Sequence, residues 1–202
     1  MQCFPRHSAL SSASFSEFME RLQEQYNTKI SEALKKAYGF KNAMQVPKVT
    51  KVVINVGVGK FKEDKKKIDA IVSDIAKISG QAPVQTKARK SIAGFKVREN
   101  QIVGITVTLR GYRMYSFLDK LVNVALPRVR DFQGLSAQFD GRGNYQLGMK
   151  EQLVFPEISA SALDNIFGLQ VTVVTNAGKD EPAKELLKLM GFPFKHAEQR
   201  GN

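Results

Sequence analysis

A chain of 202 residues is long enough for one well-buried core, and 43% hydrophobic with 25% charged residues argues against wholesale disorder. With 31 Lys and Arg against 19 Asp and Glu, the net charge is +12, which makes a large polyanion the natural partner. No apolar run is long enough to span a bilayer, no helical pattern gathers its cations into an interfacial anchor, and Cys3 alone excludes an intrachain disulfide.

Residues Met1 to Ser14 are Ser-rich and hold Arg6 and His7 but no acid. They lack the continuous apolar stretch of a secretory signal. They read as an unstructured extension over 1–15, with a transit peptide or a start at Met19 as alternatives. His7 and His196 sit near opposite ends, so with Cys3 they do not make a zinc site by spacing. The spacing of Phe18, Leu22, Tyr26, Ile30 and Leu34 predicts a helix from about Ser16, its cap, to Tyr38, with Gly39 as its left-handed stop. After Pro47, the β-branched run Val49 to Val56 reads as a strand. Asp64 is placed to cap a second helix with Ile68, Ile71, Val72, Ile75 and Ile78 on one face and Gly80 at its end.

Between strand and helix, Asn55-Val56-Gly57-Val58-Gly59-Lys60 has two glycines of a dinucleotide fingerprint, but Lys62 stands where the third is needed. The plainer reading is a turn that needs Gly for its backbone conformation, and either way the glycines permit close approach. Asn55 interrupts an apolar strand and needs a partner if buried; RNA is one candidate.

From Ile75 to Arg98 no acid occurs, while Lys77, Lys87, Arg89, Lys90, Lys96 and Arg98 do. Around Ser91, Gly94 and Phe95, cations mix with small residues and one aromatic, without helical periodicity. This reads as a free loop able to follow an anionic backbone and stack a base, with a solvated charge run as the plainer alternative. A strand follows from Ile102 to Arg110, with Ile105, Val107 and Leu109 on one face and Thr106, Thr108 and Arg110 on the other. That polar face is either solvated or in contact with sugars and phosphates. A third helix carries Met114, Phe117, Leu118, Leu121 and Val122 and is expected to stop at Pro127. Asp140 to Asn144 is dense in turn formers and reads as the tip of a hairpin, Leu169 to Thr175 alternates as a strand, and Asp180 to Met190 reads as a capped helix ended by Gly191. The interleaving predicts a single α+β domain over 16–195, with a disordered tail over 196–202. Acids are scattered and no nucleophile turn occurs, so the function expected is binding, not catalysis, with no cofactor.

The chain resembles the bacterial-type large-subunit ribosomal protein L-five family over about residues 20–195. The likeness is carried by Gln45-Val46-Pro47-Lys48-Val49, Val53-Ile54-Asn55-Val56-Gly57-Val58-Gly59 and Ile78-Ser79-Gly80-Gln81-Ala82-Pro83. Its most specific parts are Thr86 to Lys96 and Val107-Thr108-Leu109-Arg110-Gly111, followed by Ala125 to Phe132, Phe139 to Tyr145 and Phe155 to Ile158. The resemblance implies an antiparallel sheet with helices packed against it, and a place in the central protuberance holding 5S rRNA. It also implies that Asn55, Gln81 and Thr108 hydrogen-bond 5S rRNA, with Gly57, Gly59 and Arg110 beside them. Lys87 to Lys96 would reach P-site tRNA, and another surface would meet a small-subunit head protein. Neighbouring large-subunit rRNA and proteins complete the partners, in bacterial cytoplasm or in an organelle if the extension is a transit peptide. A free RNA chaperone and a phosphate-handling enzyme using Gly57 to Lys60 are the alternatives from other classes.

Overall fold

The computed structural model describes residues 21–59, 61, 64–130, 132–158 and 166–195. The expected cap Ser16, the apolar Phe18, and the extensions 1–15 and 196–202 lie outside the described residues. Five strands form one antiparallel sheet in the order β2-β3-β1-β5-β4: β1 Val49–Gly57, β2 Val84–Lys87, β3 Ile102–Leu109, β4 Tyr145–Met149 and β5 Leu169–Thr175. Strands β2 and β4 went unread in the sequence. The first is four residues long, and the second follows directly on the turn-forming run.

Alternation decides which face carries the core. Val52, Ile54 and Val56 of β1, Ile105, Val107 and Leu109 of β3, and Val171 and Val173 of β5 are buried in one cluster. Helices pack over them. α1 (residues 21–38) brings Leu22, Ile30 and Leu34, and α2 (Lys65–Ser79) brings Ile68, Ile71, Ile75 and Ile78. α3 (residues 111–128) lies on β1 and against α1, and α4 (Asp180–Leu189) packs on α1. The α+β fold with helices against an antiparallel sheet is therefore as expected. Burying each such aliphatic chain contributes roughly 1.5–3 kcal/mol.

Several local expectations need correction. Pro127 does not stop α3. The helix passes through a π-helical stretch, Leu121–Ala125, and takes Pro127 into a last turn, Leu126–Arg128. The widened turn reorganises the hydrogen bonds that a proline would otherwise break. Asp64 stands at the N-cap of α2 but makes no capping bond; its carboxylate pairs with Lys67 at 3.1 Å. Gly57 and Gly59 do not lie at positive φ, so backbone conformation does not require glycine there. Gly39 and Gly80, by contrast, end their helices in the left-handed region at φ 65° and 64°, as expected. β3 ends at Leu109, and Arg110 is the extended residue that leads into α3.

The turn Asp140–Asn144 closes between Phe139 and Tyr145, which form an antiparallel bridge. Asp140 Oδ1 accepts from the backbone of Arg142 and Asn144, and its Oδ2 from the Asn144 side chain at 2.6 Å. These donors, the Asn144 side chain foremost, hold the Asp140 carboxyl below the usual carboxylate range. Their stabilisation is present above the ordinary carboxylate pKa and is lost as pH falls through the lowered one. Asp180, expected to cap α4, instead turns its carboxylate back onto the N–H groups of Gly141 and Gly143, at 3.1 and 2.9 Å.

Gly143 is held at φ 81°, and a Cβ there would come within 2.8 Å of the Lys179 carbonyl oxygen. Gly143→Ala is expected to cost roughly 1–3 kcal/mol in urea unfolding. Gly148→Ala, where a Cβ meets nothing within 4 Å, is expected to be neutral or slightly stabilising. Equal costs at both sites would show that the joint between the turn and α4 is not held by this close approach.

Candidate nucleic-acid interface

Among the described residues, no helix covers the other face of the sheet, which is bare. Cross-strand register places Asn55 between Thr106 of β3 and Gln170 of β5, and Val53 between Thr108 and Thr172. Beyond Gln170 and Thr172 come Gly148 and Gln146 of β4, and Gln170 Nε2 donates to Gln146 Oε1 at 3.0 Å. The result is a flat field of hydroxyls and amides, which can both donate and accept, on a rigid scaffold.

Asn55 is exposed and makes no hydrogen bond within the protein among the described residues. The condition under which it would need an internal partner therefore does not arise. Gln81 is brought to the margin of this field. It follows the left-handed Gly80, its N–H donates to Ser79 Oγ, and its Nε2 reaches the Thr108 carbonyl at 3.4 Å. Asn55, Gln81 and Thr108 thus share one region. Gly57 pairs with Gly104 across β1 and β3, and a Cβ on Gly57 or Gly59 would meet nothing within 4 Å. With no side chain at 57 the face has a depression open to close approach, whereas Gly104 beside it is buried, a Cβ there coming within 2.8 Å of Thr86 Oγ1. Arg110 is exposed at the far end of β3 from that depression. Gln170, Thr172 and Gln146 were missed as site residues. The signal for the first two was the polar half of the Leu169–Thr175 alternation.

The basic stretch is not a free loop. Lys87 closes β2, and the connection to β3 is an internally bonded tongue. Ala88 and Asn100 join near its base, Ala88 N to Gln101 O at 2.8 Å and Asn100 N to Ala88 O at 3.0 Å. Ile92 and Val97 pair further out around a 3-10 turn, Ala93–Phe95. Ser91 Oγ accepts the Glu99 N–H at 3.0 Å, so Ser91 helps to shape the tongue. Lys96 caps the tip at φ 50°, a conformation that non-glycine residues hold only when their surroundings fix it. Short-range hydrogen bonds of this kind leave no periodic signature, which is why the sequence reads as loop. Lys87, Arg89, Lys90, Ser91, Gly94, Phe95 and Lys96 are all exposed, with Phe95 at 73% and the adjoining Ile92 at 50%. The tongue therefore presents cations around an apolar tip, a combination suited to an RNA backbone with a face or base edge to pack on.

A third surface runs along β4, at the opposite edge of the sheet from β2. There a groove of about 1000 Å³ is lined in part by Arg128, Arg130, Lys150, Glu151 and Lys195.

Two family models match the chain: "Ribosomal protein L5" over residues 42–98 and "ribosomal L5P family C-terminus" over residues 102–194. The chain is 56% identical to the large ribosomal subunit protein uL5 of Clostridium botulinum (strain Loch Maree / Type A3), over 177 residues covering 87% of this chain and 98% of the relative. It is 56% identical to the uL5 of Thermoanaerobacter sp. (strain X514) and 54% to that of Carboxydothermus hydrogenoformans, each covering 87% of this chain and 99% of the relative.

No carboxylate among the described residues lies within ion-pair distance of Lys87, Arg89 or Lys90. Replacing all three with Gln is expected to leave stability to urea within about 0.5 kcal/mol of the wild type. A loss above about 1 kcal/mol would mean that these charges hold the tongue together.

Proposed function

Because the chain belongs to the L5 family of large-subunit ribosomal proteins, structural RNA-binding constituents of the ribosome and not enzymes, we propose that its bare sheet face seats 5S rRNA and anchors it in the central protuberance. One observation carries this reading. A helix-free face sets Asn55, Thr106, Thr108, Gln170 and Thr172 side by side on three strands, with no carboxylate among them. Such groups match the 2′-hydroxyls and sugar edges of a folded RNA, which is recognised by shape more than by sequence. The depression at Gly57 lets the backbone of that RNA come close.

The tongue is the part that contacts P-site tRNA. Its stiffness holds Phe95 and the surrounding cations clear of the sheet, where they can meet a partner that moves while 5S rRNA stays in place. The contact with the small-subunit head is assigned to the opposite edge, where Arg128, Arg130 and Lys195 border the groove beside β4. This separates the two moving partners across the width of the sheet. The bacterial relatives support a place on cytoplasmic bacterial ribosomes over the organellar alternative. Membership in a structural family removes the phosphate-handling reading of Gly57 to Lys60.

Asn55→Ala is expected to weaken binding of a 5S rRNA transcript by about 1–3 kcal/mol, since it strands polar groups of the RNA. Thermal unfolding should barely move, because Asn55 is exposed and makes no hydrogen bond among the described residues. Loss of stability in step with loss of binding would mark Asn55 as structural and sink the assignment.

Exposed cations are individually screened, so the tongue is tested with Lys87, Arg89 and Lys90 changed together to Gln. Incorporation into large subunits and 5S rRNA content are expected to stay near wild type, while tRNA leaves the P site faster. Particles lacking both the protein and 5S rRNA would instead make the tongue the anchor.

A further inference from the structure

The longest acid-free stretch of the chain is not the tongue. It runs over residues 33–62, thirty residues with seven lysines: Lys35, Lys36, Lys41, Lys48, Lys51, Lys60 and Lys62. Lys35 and Lys36 lie in the last turn of α1, where the helix dipole favours cations, so they need no further explanation. Lys41, Lys48 and Lys51 have no such reason to be there. None has a carboxylate within ion-pair distance among the described residues.

Their setting is rigid. The Tyr26 hydroxyl donates to the Pro47 carbonyl at 3.1 Å, Lys48 N donates to Asn176 Oδ1 at 2.6 Å, and Asn176 N returns a bond to Lys48 O at 3.1 Å. Asn42 Oδ1 accepts from Met44 N at 3.1 Å, which fixes the turn after Lys41. The β1–β3 register ends at Val52–Leu109, and the next residue on each side is a cation, Lys51 of β1 and the still extended Arg110. Like charges directly across an antiparallel pair destabilise a sheet. A polyanion lying over this end of the bare face would offset that repulsion.

We propose that Lys41, Lys48 and Lys51, beside Arg110, form a phosphate-binding track at the end of the sheet remote from the tongue, gripping the backbone of the same RNA that the bare face seats. The inference rests on the 5S rRNA reading. It supplies what that reading lacks, because the centre of the face carries no cation and a +12 chain needs somewhere to displace counterions from its RNA. The face orients the RNA, and the track contributes the salt-sensitive part of the affinity.

The test is the salt dependence of the full chain binding a 5S rRNA transcript. Each phosphate contact adds about 0.9 to the log–log slope for a duplex, so Lys41→Gln, Lys48→Gln and Lys51→Gln together should shrink the slope by about 2–3. The corresponding triple Arg variant should keep the wild-type slope, and the tongue triple variant should keep most of it. Asn55→Ala should lower affinity at every salt concentration with its slope intact. If Asn55→Ala weakens binding but the triple Gln variant retains the wild-type slope, the track is wrong and the face stands. If neither change affects 5S rRNA, the face reading falls and takes the track with it. Should the triple variant fail to fold, Lys41→Gln alone, in an exposed turn, must still remove about one unit of slope. A wild-type slope combined with loss of a protein neighbour from washed large subunits would assign the lysines to that protein and overturn the proposal.

Discussion

β1 is hydrogen-bonded on both sides, to β3 and to β5, and Val52, Ile54 and Val56 reach down from it into the core. Because side chains alternate, that burial also determines what looks the other way: Lys51, Val53, Asn55 and Gly57. A slip of one residue would exchange the two sets, exposing three aliphatic chains at roughly 1.5–3 kcal/mol each and burying an unpaired amide. The register of this strand is thus held by its apolar half, and the polar half inherits the accuracy. Both neighbours carry the same constraint, since Thr106 and Thr108 oppose Ile105 and Val107, and Gln170 and Thr172 oppose Val171 and Val173. A polar array built in this way needs no contacts of its own to stay in place.

The charge is arranged around the array. The centre of the bare face holds amides, hydroxyls and glycines, while cations gather at its ends, in the tongue beyond β2 and β3 and near Lys51 and Arg110. With a screening length of roughly 8–10 Å at physiological salt, charges separated by the length of a strand act almost independently. Directional groups in the middle therefore set position, and screened charges at the margins add attraction without competing for register. Lys120 follows a different logic. It bonds to Glu157 and to the Ile78 carbonyl and ties α2, α3 and the 155–158 segment together, so it is a cation of the fold and not of the surface.

How much of this was legible in the sequence depended on the range of the interaction. Apolar spacing gave α1, α2 and the body of α3, since Leu22, Ile30 and Leu34 or Ile68, Ile71, Ile75 and Ile78 report burial directly, while α4 was read from the signals at its ends. Period-2 alternation gave β3 and β5, and a β-branched run gave β1. The tongue was legible as chemistry but not as shape, because its form comes from pairs such as Ile92 with Val97 and Ser91 with Glu99, which leave no periodicity. Pro127 misled because the π-helical stretch before it depends on packing of Leu121 and Ala125, a tertiary effect. Asp180 misled for a related reason. Its carboxylate serves Gly141 and Gly143, nearly forty positions earlier, and nothing local distinguishes that from a cap. Asn55 was legible as an anomaly in an apolar strand, but its exposure became visible only once β3 and β5 were laid on either side.

The sheet also carries three separate surfaces on one small protein. The tongue leaves from the β2–β3 edge, the basic groove follows β4 at the other edge, and the bare face lies between them. All three are carried on a continuous ladder of backbone hydrogen bonds with one core beneath it. Inside the tongue, the Ala88–Asn100 and Ile92–Val97 contacts continue that ladder outward, so Phe95 is held at the end of a strut. A strut is a costly way to display an apolar tip, since Phe95 and Ile92 remain in water and Lys96 stays in a left-handed conformation. A flexible loop would avoid the strain but would lose ordering entropy each time a partner arrived, on the order of 1–2 kcal/mol per residue fixed. For a partner that comes and goes, as proposed for the tongue, prior ordering keeps that entropic cost out of every encounter.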